Sequence, residues 1–493
     1  MNTRISWKTD KIIFLILLGI VFLSHLPFLE SDPDRNMSVG RGPFTDEGLN
    51  TIQIRNWVNQ GYLSLSECDN LLKTPLFGFP LALTYKIFGT SHMVSRLHVL
   101  TLVILSLLLI GMQGKNTRWM IIFLLISLLQ YQVFQSSHFS MAEMLSVASI
   151  LLALDLTARS SDPQHTQKSR DIKSFLAALI ISFSYFIKIQ FIYIIVLLPV
   201  ILLIRWFTTN YFARRLILRQ GFIMTATLLF FLLVYLLAWY LPYKEAYDYM
   251  MAGQSGELSL SSKTWEYIRF NLAYHFFRGW LQWFIYLFLL LIIPGFYFLK
   301  KSKSIRYPVL FISSLVWFLL ELHKLTMVYL PTRYQVSTLV SMGLIMSLVL
   351  NELLSLKWNV KSSFLKLSAV AAIAIITGIN LYNYFDTLQH RTYEIRNAND
   401  YLAQNLNKED VVLGAWAPSL TWKSGSRALP VWNHFLNYKD AVQKYNPSVI
   451  IAEYDEQDSE QAWKSQGIDL NMISDPVKTV RIGQWDVVIY RLK

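Results

Sequence analysis

The run "KIIFLILLGIVFLSHLPFL", Lys11–Leu29, carries a single charged residue, at its first position. A helix rises 1.5 Å per residue, and a bilayer core needs roughly 20 apolar residues to cross. This run is long enough. It follows a basic start, Arg4, Lys8 and Lys11, and ends in His25, Leu26, Pro27 and Phe28 rather than a small-residue cleavage site. It reads as a retained first helix that also serves as the export signal.

Similar runs lie at His92–Met112, Trp119–Gln135, Met141–Ala158, Ser174–Ile187, Phe191–Phe207 and Leu216–Leu241, and then at Trp280–Leu299, Tyr307–Leu320, Tyr334–Leu350 and Phe364–Tyr382. That is about eleven spans. The segments around Leu76–Phe88 and Lys188 read as interfacial or broken helices. Composition agrees: of 493 residues, 54% are hydrophobic and only 16% charged, against about a quarter charged in soluble domains. The chain is predicted to be a mainly α, polytopic membrane helix bundle.

The net charge of +13 does not imply nucleic acid, because Lys and Arg gather in cytoplasmic loops. With the N-terminus in the cytoplasm, alternate loops carry Lys115 and Arg118; Arg159, Lys168, Arg170 and Lys173; Arg205, Arg214, Arg215 and Arg219; Lys300, Lys301, Lys303 and Arg306; and Lys357 and Lys361. The long first outer loop, about residues 30–75, holds more acids than bases. The C-terminus then lies outside.

From about Asp386 the pattern changes. "EIRNANDYLAQNL" has helical periodicity, and "DVVLGAWAP", "PSVIIAEY" and "WDVVIYRL" read as strands. The chain divides into a membrane part, 1–385, and a small extracytoplasmic α/β domain, 386–493, with loop helices on the outer face. A single cysteine, Cys68, excludes an intrachain disulfide and a cysteine metal site. Phosphate-cradling and His-Glu-x-x-His motifs are absent.

Ionisable residues gather on the outer face. "GPFTDEGLN", Gly42–Asn50, brings Asp46 and Glu47, with Lys73 further along the same loop. "SSHFSMAEM" brings His138 and Glu143, Lys188 follows "SFSYFI", and "ELHKLTMVYLPTRYQV" brings Glu321, His323, Lys324 and Arg333. Each has an ordinary reading: a solvated pair or helix-start acid for Asp46, Glu47 and Glu143, snorkelling for Lys73 and Lys188, an interfacial anchor for Arg333, and structural roles for both histidines. Their convergence on one membrane face makes them functional candidates.

The order of these segments resembles the glycosyltransferase C superfamily. The resemblance runs from "TDEGLNTIQIRNWVNQGYL" and "KTPLFGFPLALTYKIFGTSHMVSRL" through Glu143 and Lys188 to "YLPTRYQV". The branch is that of protein O-mannosyltransferases and lipid A aminoarabinose transferases. It implies a sugar donor on polyprenyl phosphate, an extracytoplasmic acceptor (glycolipid, polysaccharide or protein) and inversion at the sugar carbon; the single cysteine and the lack of a eukaryotic retention signal favour a bacterial inner membrane. Asp46 is then the general base and Glu143 a second catalytic acid. Lys73, Lys188 and Arg333 bind the donor phosphate. Glu47, His138 and His323 are candidates for acceptor or divalent-cation binding. Three positions depart from the pattern: Thr74 before Pro75 replaces a proline, Glu143 an aspartate, and Ile189 the glycine after the lysine. A lipid or sugar transporter, or a lipid-binding subunit without activity, is the competing class. The lack of internal repeats and the outer position of the charges favour the transferase.

Overall fold

The computed structural model describes all residues except 1, 39, 114–116, 209–210, 251–262, 303–304, 329, 358–359, 434, 437–438, 454–456, 471–473 and 493. Lys115 and Lys303, two of the basic loop residues above, lie outside the described residues.

The first helices are α1 (Asn2–His25), α2 (Gly42–Gln60), α3 (Asn70–Lys73), α4 (Pro75–Phe88), α5 (His92–Gln113) and α6 (Arg118–Phe123). Then come α7 (Tyr131–His138), α8 (Ala142–Ser160), α9 (Gln167–Ile187), α10 (Leu197–Thr208) and α11 (Tyr211–Tyr235). The second half holds α12 (Thr264–Phe276), α13 (Leu281–Lys301), α14 (Arg306–Glu321), α15 (Val336–Ser355) and α16 (Val360–Gln389). Helix α17 (Glu394–Asn405) leads to the sheet, into which α18 (Ala417–Leu420), α19 (Ala441–Tyr445) and α20 (Gln457–Ser465) are inserted.

Among the described residues, eight helices are long and apolar enough to cross a membrane, or nine if one bent pair is a single span. Helices α8 and α9 run alongside them. Neither has an 18-residue stretch with as few as two charged residues, because α8 carries Glu143, Asp155 and Arg159 and α9 carries Lys168, Arg170, Asp171 and Lys173. The chain is a multi-pass membrane protein. Helix α1 shows the packing logic. Phe14, Leu18 and Val21 are buried at helical spacing, while Ile12, Ile16, Ile20 and Leu23 on the other face are exposed. An apolar outer face suits lipid. Helix α15 lies at the centre, 94% buried. Its small residues, among them Ser337, Ser341, Gly343 and Ser347, let neighbouring helices approach closely.

One expected span is sharply bent. Trp119–Gln135 is not straight: α6 continues through a π turn at Leu124–Leu128, then the chain bends by 92° into α7. There is no Pro or Gly at the break. Two side chains stabilise it instead. Gln130 caps α7 by accepting from the Val133 amide at 3.1 Å, and Asn380 Nδ2 on α16 donates to the freed carbonyl of Leu125 at 3.0 Å.

The C-terminal sheet has the order β2-β1-β3-β5-β4, with β1 (Val411–Leu413), β2 (Arg427–Leu429), β3 (Val449–Glu453), β4 (Ser474–Ile482) and β5 (Trp485–Leu492). Strand β1 pairs parallel with β2 and β3, whereas β5 pairs antiparallel with β3 and β4. Three strands match the expected runs. The very short β2 and the Pro-containing β4 were not expected. The "GAWAP" end of the first run turns into α18 rather than extending β1.

This domain packs directly on α2. Phe44 and Ile52 of α2 share an apolar core with Trp416, Leu420 and Ile489. A Cβ on Gly48 would lie 2.6 Å from the Pro418 carbonyl carbon, so only glycine permits this approach. Arg55 donates to the Pro418 carbonyl, and its guanidinium lies 3.9 Å from the Trp422 ring centre. Arg41 bridges to Glu453 at 2.5 Å. The acidic helix is thus gripped by the sheet domain on one side and the membrane helices on the other.

Candidate active site

Helix α2 starts at Gly42–Pro43. A proline in the first helical turn loses no hydrogen bond there. Asp46 and Glu47 follow, one helical step apart, and so point about 100° from each other. Each meets a different set of partners.

Glu47 is enclosed. It accepts from Arg96 Nε at 2.9 Å, from the Ser140 amide at 2.6 Å, and faces His92 Nε2 at 3.0 Å. Arg96 also donates to the carbonyls of Phe28 at 2.6 Å and Ser31 at 2.7 Å. Burial pushes the Glu47 carboxyl up, but Arg96 and His92 outweigh it and hold it well below the usual carboxylate range. Glu47 therefore ties α2 to α5, to the end of α1 and to the α7–α8 turn. No spare lone pair faces a reaction site.

Asp46 points the other way. Its Oδ2 accepts from Arg333. Arg333 Nε lies 3.0 Å from Glu143 Oε1, and the same oxygen accepts from Lys188 Nζ at 2.5 Å. Two carboxylates and two cations form one buried chain, Asp46–Arg333–Glu143–Lys188. They come from α2, the 3-10 turn Thr332–Gln335, the first turn of α8, and the residue ending α9. A Cβ on Gly42 would stand 3.0 Å from Asp46 Oδ2 and 3.4 Å from an Arg333 terminal nitrogen, so the glycine leaves room for the ion pair. The chain is most enclosed at Glu143, 3% exposed, and most open at Arg333, 19% exposed. The Arg333–Asp46 end is the more exposed one. Burial raises the Asp46 carboxyl above its ordinary value, with Arg333 pulling the other way. A raised, partly accessible carboxylate suits a proton acceptor.

Tyr334 completes this surface. Its ring centre is 4.9 Å from Lys188 Nζ and 5.0 Å from the Arg333 guanidinium carbon, and its hydroxyl accepts from Gln190 at 2.7 Å. The turn carrying Arg333 is anchored from below. Lys324 Nζ donates to the Tyr334 carbonyl at 3.0 Å and to Ser337 at 2.8 Å, and pairs with Glu321 at 2.5 Å. Glu321 in turn accepts from Tyr193 at 2.5 Å and Trp317 at 2.9 Å.

Four of the residues singled out in the sequence thus converge: Asp46, Glu143, Lys188 and Arg333. Others do not. Lys73 ends the single turn of α3 and bonds back to Asp69 at 3.4 Å. His138 is buried with its Nδ1 3.0 Å from His25 Nδ1 and packs on Phe28 and Phe139. His323 meets the Leu320 carbonyl at 2.6 Å and the edge of Tyr193. A divalent cation does not fit these residues. Asp46 and Glu143 already face Arg333 and Lys188, and no group of three or more His, Cys, Asp or Glu among the described residues is placed to hold a metal ion. Sequence reasoning missed Tyr334, Gln190, Tyr193 and the Arg96–His92 clasp. Arg96 and Tyr334 stood inside the quoted motifs, but nothing local distinguished them.

No protein-family model matches the chain, and no curated protein matches it in sequence. Solved structures do match in fold. ArnT from Cupriavidus metallidurans bound to undecaprenyl phosphate superposes with a TM-score of 0.63 over 97% of both chains, at 13% identity. The chain has the glycosyltransferase C fold. The Archaeoglobus fulgidus oligosaccharyltransferase, solved with Zn and sulfate, shares that fold with a TM-score of 0.55 and 12% identity, over 89% of this chain and 68% of its own. AglB from the same organism, in complex with an inhibitory peptide and a dolichol-phosphate, matches with a TM-score of 0.53 and 12% identity over 89% of this chain and 69% of its own.

Proposed function

We propose that this chain is a membrane glycosyltransferase that moves a sugar from a polyprenyl-phosphate donor to an extracytoplasmic hydroxyl, with Asp46 as the base. The observation that carries the reading is the buried chain Asp46–Arg333–Glu143–Lys188, assembled from four distant segments at one membrane face. The reading adds a topology: N-terminus in the cytoplasm of a bacterial inner membrane, residues 1–385 as the membrane transferase part, and 386–493 outside.

The chemistry follows from the charges. In this structure the two cations are neutralised by the two carboxylates. A donor phosphate arriving at the Arg333–Asp46 end competes for Arg333 and Lys188. As Arg333 turns to it, Asp46 loses its countercharge in a buried place and becomes the stronger base. The acceptor O–H gives its proton to Asp46. The acceptor oxygen bonds to the anomeric carbon as the bond from that carbon to the phosphate oxygen breaks, and that oxygen leaves with the electron pair. Attack opposite the leaving group inverts the centre. Arg333 and Lys188 stabilise the charge that develops on the leaving phosphate, so no strong general acid is required. Undecaprenyl phosphate on ArnT and dolichol-phosphate on AglB support a lipid-phosphate donor here.

The test uses the purified chain in proteoliposomes with labelled polyprenyl-phosphate sugars. The transferase reading predicts release of free polyprenyl phosphate and appearance of the label on an acceptor or on water. Movement of intact donor across the bilayer without cleavage would establish the transporter instead.

A further inference from the structure

A cavity of about 370 Å³ reaches the chain segment that carries Arg333. Its wall includes Thr332, the residue before Arg333. It is built where the broken third span, the α12–α13 turn and the end of α16 meet. The size falls within the range of small-molecule sites. The mechanism above does not use it.

Its lining has a definite chemistry. Asp34 and Asp386 face it against one guanidinium, that of Arg278. A phosphate is disfavoured by this balance, so the donor's charged group belongs on the Arg333–Lys188 side. Gln132 and Asn383 supply side-chain amides, and the Gln132 carbonyl oxygen is buried without a hydrogen-bond partner. An unmet buried acceptor costs free energy, which a ligand hydroxyl recovers once the Gln132 amide turns toward the cavity. Trp280 and Tyr382 add aromatic surface at the rim. They are 52% and 62% exposed, and exposed rings of this kind are enriched at headgroup level in membrane proteins.

Carboxylates, amides and flat rings around a cavity recognise a ligand that is rich in hydroxyls and carries no negative charge. We propose that this cavity binds the saccharide end of the acceptor, reached from the membrane interface. The proposal rests on the transferase reading for the word acceptor. It narrows the acceptor class to a saccharide rather than a peptide. Thr332 in its wall is the chain neighbour of Arg333.

The test reads binding, not turnover. Full-length protein in nanodiscs is titrated with methyl glycosides of glucose, mannose and N-acetylglucosamine, and with L-arabinose, by saturation-transfer NMR. Wild-type protein is expected to bind at least one of them. Gln132→Ala and Asn383→Ala are each expected to weaken that binding roughly three- to tenfold, and Trp280→Ala to remove ring contacts to the sugar. Undecaprenyl phosphate binding, measured in parallel, is expected to stay within twofold and reports that each variant is folded. Sugar binding that none of the three substitutions alters would overturn the proposal. So would absence of saccharide binding, or a short Ser/Thr peptide competing at this cavity in place of the sugars. Asp46→Asn is carried through the same titration. Binding that survives there while transfer also survives would refute the base and leave the cavity assignment standing.

Discussion

Glu143→Gln separates the two states that the mechanism requires. Glu143 Oε1 takes Lys188 Nζ at 2.5 Å and faces Arg333 Nε at 3.0 Å. Glutamine keeps the oxygen that faces both cations but loses the charge, and its amide nitrogen takes the place of Oε2, which has no hydrogen-bond partner. The buried chain changes from two carboxylates and two cations to one carboxylate and two cations. Breaking a buried pair costs about 3–5 kcal/mol. The retained acceptor places this variant near the lower end, about 3 kcal/mol. The surplus cation, however, is what a phosphate seeks. At an effective dielectric of about 20, two charges 4 Å apart interact by about 4 kcal/mol. Even a third of that, about 1.4 kcal/mol, tightens phosphate binding tenfold. The assay is thermal unfolding in nanodiscs with and without undecaprenyl phosphate. The variant is expected to melt earlier than wild type without the lipid and to recover more stability than wild type when it is added. If the lipid stabilises the variant no more than the wild type, Arg333 and Lys188 are not the phosphate's partners.

The remaining predictions concern the neighbours. Transfer needs ionised Asp46, whose pKa is raised by burial against the pull of Arg333. The acid limb of kcat/KM should therefore lie above the ordinary aspartate range, with the rate falling as pH drops through it. Arg333→Gln should move that limb to higher pH, and a limb that moves down would contradict the pairing. Glu47→Gln should lower stability by about 3–5 kcal/mol and leave kcat of the folded fraction within a few fold. A chemical loss without a stability loss would give Glu47 a place in the reaction. Gly48→Ala places a Cβ 2.5 Å from Ser419 Oγ and 2.6 Å from its amide nitrogen. It should cost about 1–3 kcal/mol and, by displacing α2, lower transfer by up to about 100-fold. Wild-type stability and rate in this variant would show that the sheet domain does not hold α2 in place.

Apolar runs made most of the membrane part legible, because a helix that must bury its backbone groups in lipid has to be apolar and long. The break at Gln130 was not legible. Its cause is a side-chain cap and a distant asparagine, Asn380, not a local Pro or Gly. Strand β2 is three residues long, and β4 contains Pro476 beside a register shift, so neither shows clean alternation. In the site, Asp46, Glu143, Lys188 and Arg333 stood out because charge at a membrane face is rare. Lys73 had the same signal, yet its helix is one turn long and its side chain returns to Asp69. Glu47, adjacent to Asp46 in sequence, is separated from it in role by a single helical step. Only the position of Arg96, far along the chain, reveals that.

Asp46→Asn tests the central claim most directly. In proteoliposomes with a labelled polyprenyl-phosphate sugar, the variant should bind the donor at least as tightly as wild type, because Arg333 loses its carboxylate partner, and transfer about 10²- to 10⁴-fold more slowly. Near wild-type transfer by folded Asp46→Asn protein would contradict the assignment of Asp46 as the base.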